Sequence, residues 1–165
     1  MKKTIGKTQI NRQGFGIIEI LITILIISIA LFSLLELYSF YIRVGSRNVK
    51  QLQAVSLAQE AMEATRSVKD ESWNNISGLA LGAAYYPAQS AGPPAKWILN
   101  SGQQSISGFT RQVVFSKVYR DINDNIIDIG GTEDTGSRKV TADVFWQDGG
   151  TSRDVKLVTY LMNWK

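Results

Sequence analysis

Sixteen consecutive residues, Ile20 to Leu35, carry no charge, and the apolar character runs from Phe15 to Ile42, broken only by Glu19, Glu36 and a few Ser, Thr and Gly. No other feature constrains the chain as strongly. About 20 apolar residues at ~1.5 Å rise each suffice to cross hydrocarbon as a helix. The run therefore predicts a single transmembrane span, and it raises a question at once. An ionisable side chain such as Glu19 is costly in hydrocarbon and is usually there for a reason.

The charge distribution fixes the orientation. The chain has a net charge of +4 and a pI near 9.4. Lys2, Lys3, Lys7 and Arg12 supply that whole excess, since residues 1–14 contain no acid and the remaining basic and acidic side chains, fourteen of each, cancel. The basicity thus belongs to a leader and says little about the head, so the net charge gives no reason to expect nucleic acid as its partner, although a small basic patch on the head is left open. Cations before the span place the N-terminus in the cytoplasm and everything after Arg43 outside. A cleaved secretory signal would end in a small-x-small triplet. Here the triplet Ser28-Ile29-Ala30 lies inside the run, which ends in the bulky LLELYSFYIR, so the apolar segment is retained.

No proline and only one glycine, Gly45, interrupt residues 43–69. Val44, Leu52, Val55, Ala58, Met62, Thr65 and Val68 form a stripe at helical spacing. The span is expected to continue as one helix, amphipathic from Arg43 to Lys69, with a stripe that needs cover. The segment DESWNNISGLALGAAYYPAQSAGPPAKW reads as an irregular connection, followed by a short strand at Trp97–Leu99. Three longer strands follow, near Gly108–Arg120, Arg138–Gln147 and Arg153–Trp164. In the second, Val140, Ala142, Val144 and Trp146 share a face. In the third, Val155, Leu157, Thr159 and Leu161 oppose Lys156, Val158, Tyr160 and Met162. QDGGTS joins the last two strands as a hairpin. Trp146, Tyr160 and Trp164 are read as core. The expected fold class is α+β: a long N-terminal helix against a small C-terminal antiparallel sheet.

The junction Gly14-Phe15-Gly16-Ile17-Ile18-Glu19-Ile20-Leu21, set between a basic leader and an apolar helix, resembles the processing motif of type IV prepilins and type II secretion pseudopilins. The resemblance implies that a membrane-embedded aspartyl prepilin peptidase cuts between Gly14 and Phe15 and methylates the new N-terminal Phe15. It implies a leader over 1–14, a transmembrane assembly helix over 15–42, its amphipathic continuation over 43–69 and a head over 70–165. It further implies other pilin or pseudopilin subunits and an inner-membrane assembly platform as partners, with membrane lipid around the helix before assembly and a surface or periplasmic filament afterwards. LAQEAMEATRS (Leu57–Ser67) and DVFWQDGGTSRDVKLVTYLMNW (Asp143–Trp164) look like segments of minor pilins and minor pseudopilins. Gly16 and Ile17 depart from the Thr or Ser and Leu that many members carry, and the helix-kinking proline of many members is absent, since the first proline is Pro87.

The chemistry of Glu19 can be read without the family. A cut after Gly14 creates a cationic amine at Phe15, one helical turn from Glu19. A carboxylate in hydrocarbon is tolerated when a cation pairs with it and costly when none does. Within one subunit the amine and the helix dipole partly neutralise Glu19. Between subunits, Glu19 of an incoming chain pairs with the Phe15 amine of its neighbour and sets axial register. Glu36, near the outer end of the span, reaches the outer interface or a basic residue of a neighbouring subunit.

The absence of Cys and His removes thiol and imidazole nucleophiles and the usual zinc sites. No other spacing suggests catalysis, and no enzyme activity, cofactor or metal site is expected. Asp121, Asn123 and Asn125 begin like a calcium loop, and some pseudopilins use calcium in a comparable region. However, Ile126 stands where an EF-hand needs glycine and Thr132 where it needs glutamate. With Asp128, Glu133 and Asp134, the segment reads as a solvated acidic loop. The sequence favours a minor pilin that primes or decorates a fibre. A minor pseudopilin remains open, as does an anchored head that binds a ligand, a surface or DNA through the aromatic-bearing segment Trp73–Trp97.

Overall fold

The computed structural model describes residues 16–163, so Gly14, Phe15 and Trp164 lie outside the described residues. The chain divides into two units, Met1–Gly45 and Ser46–Lys165, and one helix, α1 (Ile17–Glu71), passes through the boundary. Among the described residues of the first unit, nothing packs on α1. Its Ile, Leu and Phe side chains are exposed on every side, and it is the one described helix long and apolar enough to cross a membrane.

In the second unit the later turns of α1 pack on an antiparallel sheet, as expected. The sheet order is β2 (Trp97–Ser101), β1 (Ala84–Gln89), β4 (Phe109–Ser116), β8 (Ser137–Asp148) and β9 (Thr151–Met162), with β3 (Gln104–Ile106) also paired to β4. A short helix, α2 (Asn74–Ser77), follows α1. A second, three-stranded sheet is made of β5 (Tyr119–Arg120), β6 (Ile126–Ile127) and β7 (Thr132–Glu133), in the order β6-β5-β7. The inner face is built by period-two alternation. Phe109, Val113 and Phe115 of β4 register beside Trp146, Ala142 and Val140 of β8, and all six are buried. Each fully buried Val or Phe contributes roughly 1.5–3 kcal/mol. Val155, Leu157 and Leu161 of β9 complete the face while Val158 and Tyr160 point outward. Asp148 registers opposite Thr151, so the turn is Gly149-Gly150. Both have positive φ, 59° and 84°, which a two-residue hairpin turn of the common type demands and glycine allows.

Four expectations need correction. The helix stripe on the sheet is Ala54, Ala58, Ala61, Thr65 and Val68, with Met62 and Ala64 beside it. Leu52 is 69% exposed, because at ~100° per residue it lies on the side opposite Ala54, and Val44 and Val55 are only half-buried. Small side chains, not the larger ones, line the contact, and this lets helix and sheet approach closely. The strand expected over Gly108–Arg120 breaks after Ser116. Continued alternation would have turned Lys117 inward. Instead the chain bends, Val118 is buried, Lys117 pairs with Glu133 at 2.7 Å, and Tyr119–Arg120 joins the second sheet.

The connection read as irregular contains α2 and the strand β1, which lies between β2 and β4. Pro87 masked β1. It is tolerated because only Ala84 and Tyr85 pair with β4, leaving the strand from Tyr86 onward paired on one side. Finally, Tyr160 is not core. It stands on the outer face at 37% exposure, whereas Trp146 is buried against Phe109, with ring centroids 5.6 Å apart.

Candidate assembly surface

Glu19 lies in the first turn of α1. The Gly16 carbonyl accepts hydrogen bonds from the Glu19 N–H at 3.0 Å and from the Ile20 N–H at 3.3 Å, so the helix is closed immediately ahead of the carboxylate. The hydroxyls between Ile20 and Leu35 are satisfied inside the helix. Thr23 Oγ1 donates to the Glu19 carbonyl at 2.7 Å, Ser28 Oγ to Ile24 at 2.7 Å and Ser33 Oγ to Ile29 at 2.9 Å. A hydroxyl bonded to the carbonyl four residues back is the standard way to hide it in an apolar environment. Among the described residues Glu19 has no such internal solution, and no cation faces its carboxylate. It is the one group in the first turns of this helix that asks for an external partner or for the positive helix end.

Near the other end of the run, Glu36 and Arg43 border one shallow groove with Ser39, Phe32 and Phe40. A spacing of seven, two helical turns, sets them on the same side without joining them, and no ion pair forms between them among the described residues. Tyr38 and Tyr41 are exposed in this stretch. Their amphipathic rings suit the level where hydrocarbon gives way to headgroups.

The head contains polar constructions the sequence did not reveal. Arg111 has the inward parity of Phe109 and Val113, so strand geometry forces a guanidinium under the helix at 2% exposure. Nη1 meets the Leu57 carbonyl at 3.3 Å and the Glu60 carboxylate at 3.2 Å, and Nη2 donates to Gln104 Oε1 at 2.6 Å. Among the described residues Nε has no partner. A polar residue flanked by hydrophobic neighbours of the same parity was the available signal. Asp148, at the end of β8, is the second construction. It meets Lys50 Nζ at 2.8 Å, Arg47 Nε at 3.3 Å and Arg153 Nε at 3.6 Å. The hydrogen bond from Lys50, reinforced by the three positive charges, holds its carboxyl below the ordinary carboxylate range.

The acidic segment is spent on its own folding. Asp121 accepts from the N–H groups of Asn123 and Asn125, both at 2.8 Å, and from the Asn125 amide at 3.0 Å. The two bonds from Asn125, its side-chain amide first, lower the Asp121 pKa, helped by the Asn123 N–H. Asp134 accepts from Ser137 Oγ at 2.6 Å, Arg120 Nε at 2.7 Å and the Gly136 N–H at 2.9 Å. These bonds, Ser137 first, lower its pKa as well. Asp128 faces Lys139. Among the described residues no group of three potential metal-binding side chains is gathered. The aromatic segment also turns inward. Trp73 and Trp97 pack on the core, the Arg138 guanidinium stands 6.0 Å from the Trp73 ring centre, and the buried Tyr85 hydroxyl accepts from the Ala80 N–H.

Comparison with protein-family models, with curated proteins and with solved structures finds no match to this chain.

Proposed function

We propose that this chain is a structural subunit of a type IV pilus-like filament, a minor pilin cut by prepilin peptidase between Gly14 and Phe15 and assembled through its N-terminal helix. The observation that carries the reading is Glu19: a carboxylate in the first turn of an apolar helix, followed by a charge-free stretch, Ile20 to Leu35, whose hydroxyls, Thr23, Ser28 and Ser33, are all internally bonded. Cleavage supplies the missing cation as the Phe15 amine, either its own or that of the neighbouring subunit. The exposed Ile and Leu side chains face lipid before assembly and neighbouring subunits afterwards. A minor pseudopilin of a secretion filament would use the same helix in the same way.

Mass spectrometry of the mature protein is expected to find a methylated chain beginning at Phe15; an intact N-terminus at Met1 would refute the reading. Glu19→Ala is expected to insert in the membrane normally yet to be lost from purified filaments. Wild-type incorporation of that variant would remove the role assigned to Glu19.

A further inference from the structure

The Asp148 cluster brings together three cations and one carboxylate, and the excess charge has an outlet. Arg47 lies five residues and Lys50 eight residues after Ile42, the last residue of the apolar run. Whatever path the chain takes, five residues reach at most about 18 Å. The headgroup layer on each side of a bilayer is about 5–7 Å deep, and charges act through salt water over about 8–10 Å. Asp148, 14% exposed, is enclosed by its partners, whereas the side chains of Arg47, Lys50 and Arg153 remain 57, 38 and 46% exposed. One carboxylate neutralises one of the three cations. It also holds the hairpin turn against the helix, so that Arg153, distant in sequence, joins two residues next to the span.

From this we infer that Arg47, Lys50 and Arg153 form a site for the phosphate of an anionic phospholipid headgroup while the subunit is stored in the membrane. The inference rests on the membrane-anchored reading above. Asp148 is the organiser of the site, and the lipid phosphate is the further counter-charge that the cations lack among the described residues.

The test uses the full chain reconstituted in phosphatidylcholine vesicles with and without phosphatidylglycerol. Spin-labelled phosphatidylglycerol and phosphatidylcholine report which lipid is held at the protein surface. The wild type is expected to favour the anionic lipid, with the preference falling about fivefold in Arg153→Gln, in line with roughly one kcal/mol per basic residue at an anionic surface. Asp148→Asn removes the competing charge but keeps a hydrogen-bond acceptor for Lys50 and Arg153 at the same position, so it is expected to keep or strengthen the preference; loss of the preference in this variant overturns the inference. Insertion without any anionic preference, or a preference unchanged in Arg153→Gln, overturns the inference and leaves the anchored reading standing. Failure of the chain to insert, judged by extraction at alkaline pH, overturns both. Equal protection of the cluster by inorganic phosphate in the absence of anionic lipid overturns the assignment to lipid.

Discussion

At the scale of single residues, two adjacent glycines separate two physical effects. Gly130 and Gly131 both have positive φ, 84° and 74°, and a side chain at either costs about 1–2 kcal/mol in backbone strain. Only at Gly131 would a Cβ also meet the Arg120 carbonyl oxygen, at 2.2 Å, in the strand that holds the small sheet together. Gly131→Ala is therefore expected to lower the melting temperature clearly more than Gly130→Ala, and equal shifts would show that the β5–β7 region yields freely. The carboxylates give a pH dependence of definite sign. Asp134 and Asp148 have folded pKa values below their ordinary 3.8. Their contribution is complete above the unfolded value and is lost as the pH falls through about 4 toward the folded values. Stability measured by denaturant unfolding should drop over that range, and Asp148→Asn should flatten part of the drop.

At the scale of elements, the contact between α1 and the sheet is made by alanines, and this sets its tolerance. Ala58 and Ala61 are fully buried beneath strands whose own side chains are Val, Phe and Trp. A leucine at Ala58 has nowhere to go without moving the helix outward, at a cost of roughly 1–3 kcal/mol. Leu52→Ala, on the exposed side, should change the stability of the isolated subunit by less than about 0.5 kcal/mol. Chemical unfolding of both variants checks the contrast, and a comparable loss for Leu52→Ala would mean that the stripe has been misplaced. The long elements were legible in the sequence because each has a single period. The α1 run, the Val140–Trp146 alternation and the Gly149-Gly150 turn all follow from one rule apiece. The stripe was misread where size was taken for burial: Leu52 is larger than Ala54, but close packing selects the smaller residue. β1 was hidden because Pro87 breaks the strand signal while the fold needs no donor there. Glu19 was visible as a charge out of place, whereas Arg111 and the Asp148 cluster depend on registers that only the folded sheet supplies.

At the scale of the whole molecule, the hydroxyls of α1 have a consequence for how copies of the helix would behave together. Thr23, Ser28 and Ser33 have each given their hydrogen to a carbonyl of their own helix, and the surrounding surface is Ile and Leu. Such a surface presents its neighbours with contact area but little direction. In the filament proposed above, a bundle of these helices would act mechanically as a bearing: subunits would slide and turn past one another against low resistance, and the electrostatic latch assigned to Glu19 would stop them at one position. Tension on such a fibre would be met by motion along the bundle before any subunit unfolds, and its stiffness would depend on that latch more than on the apolar bulk around it.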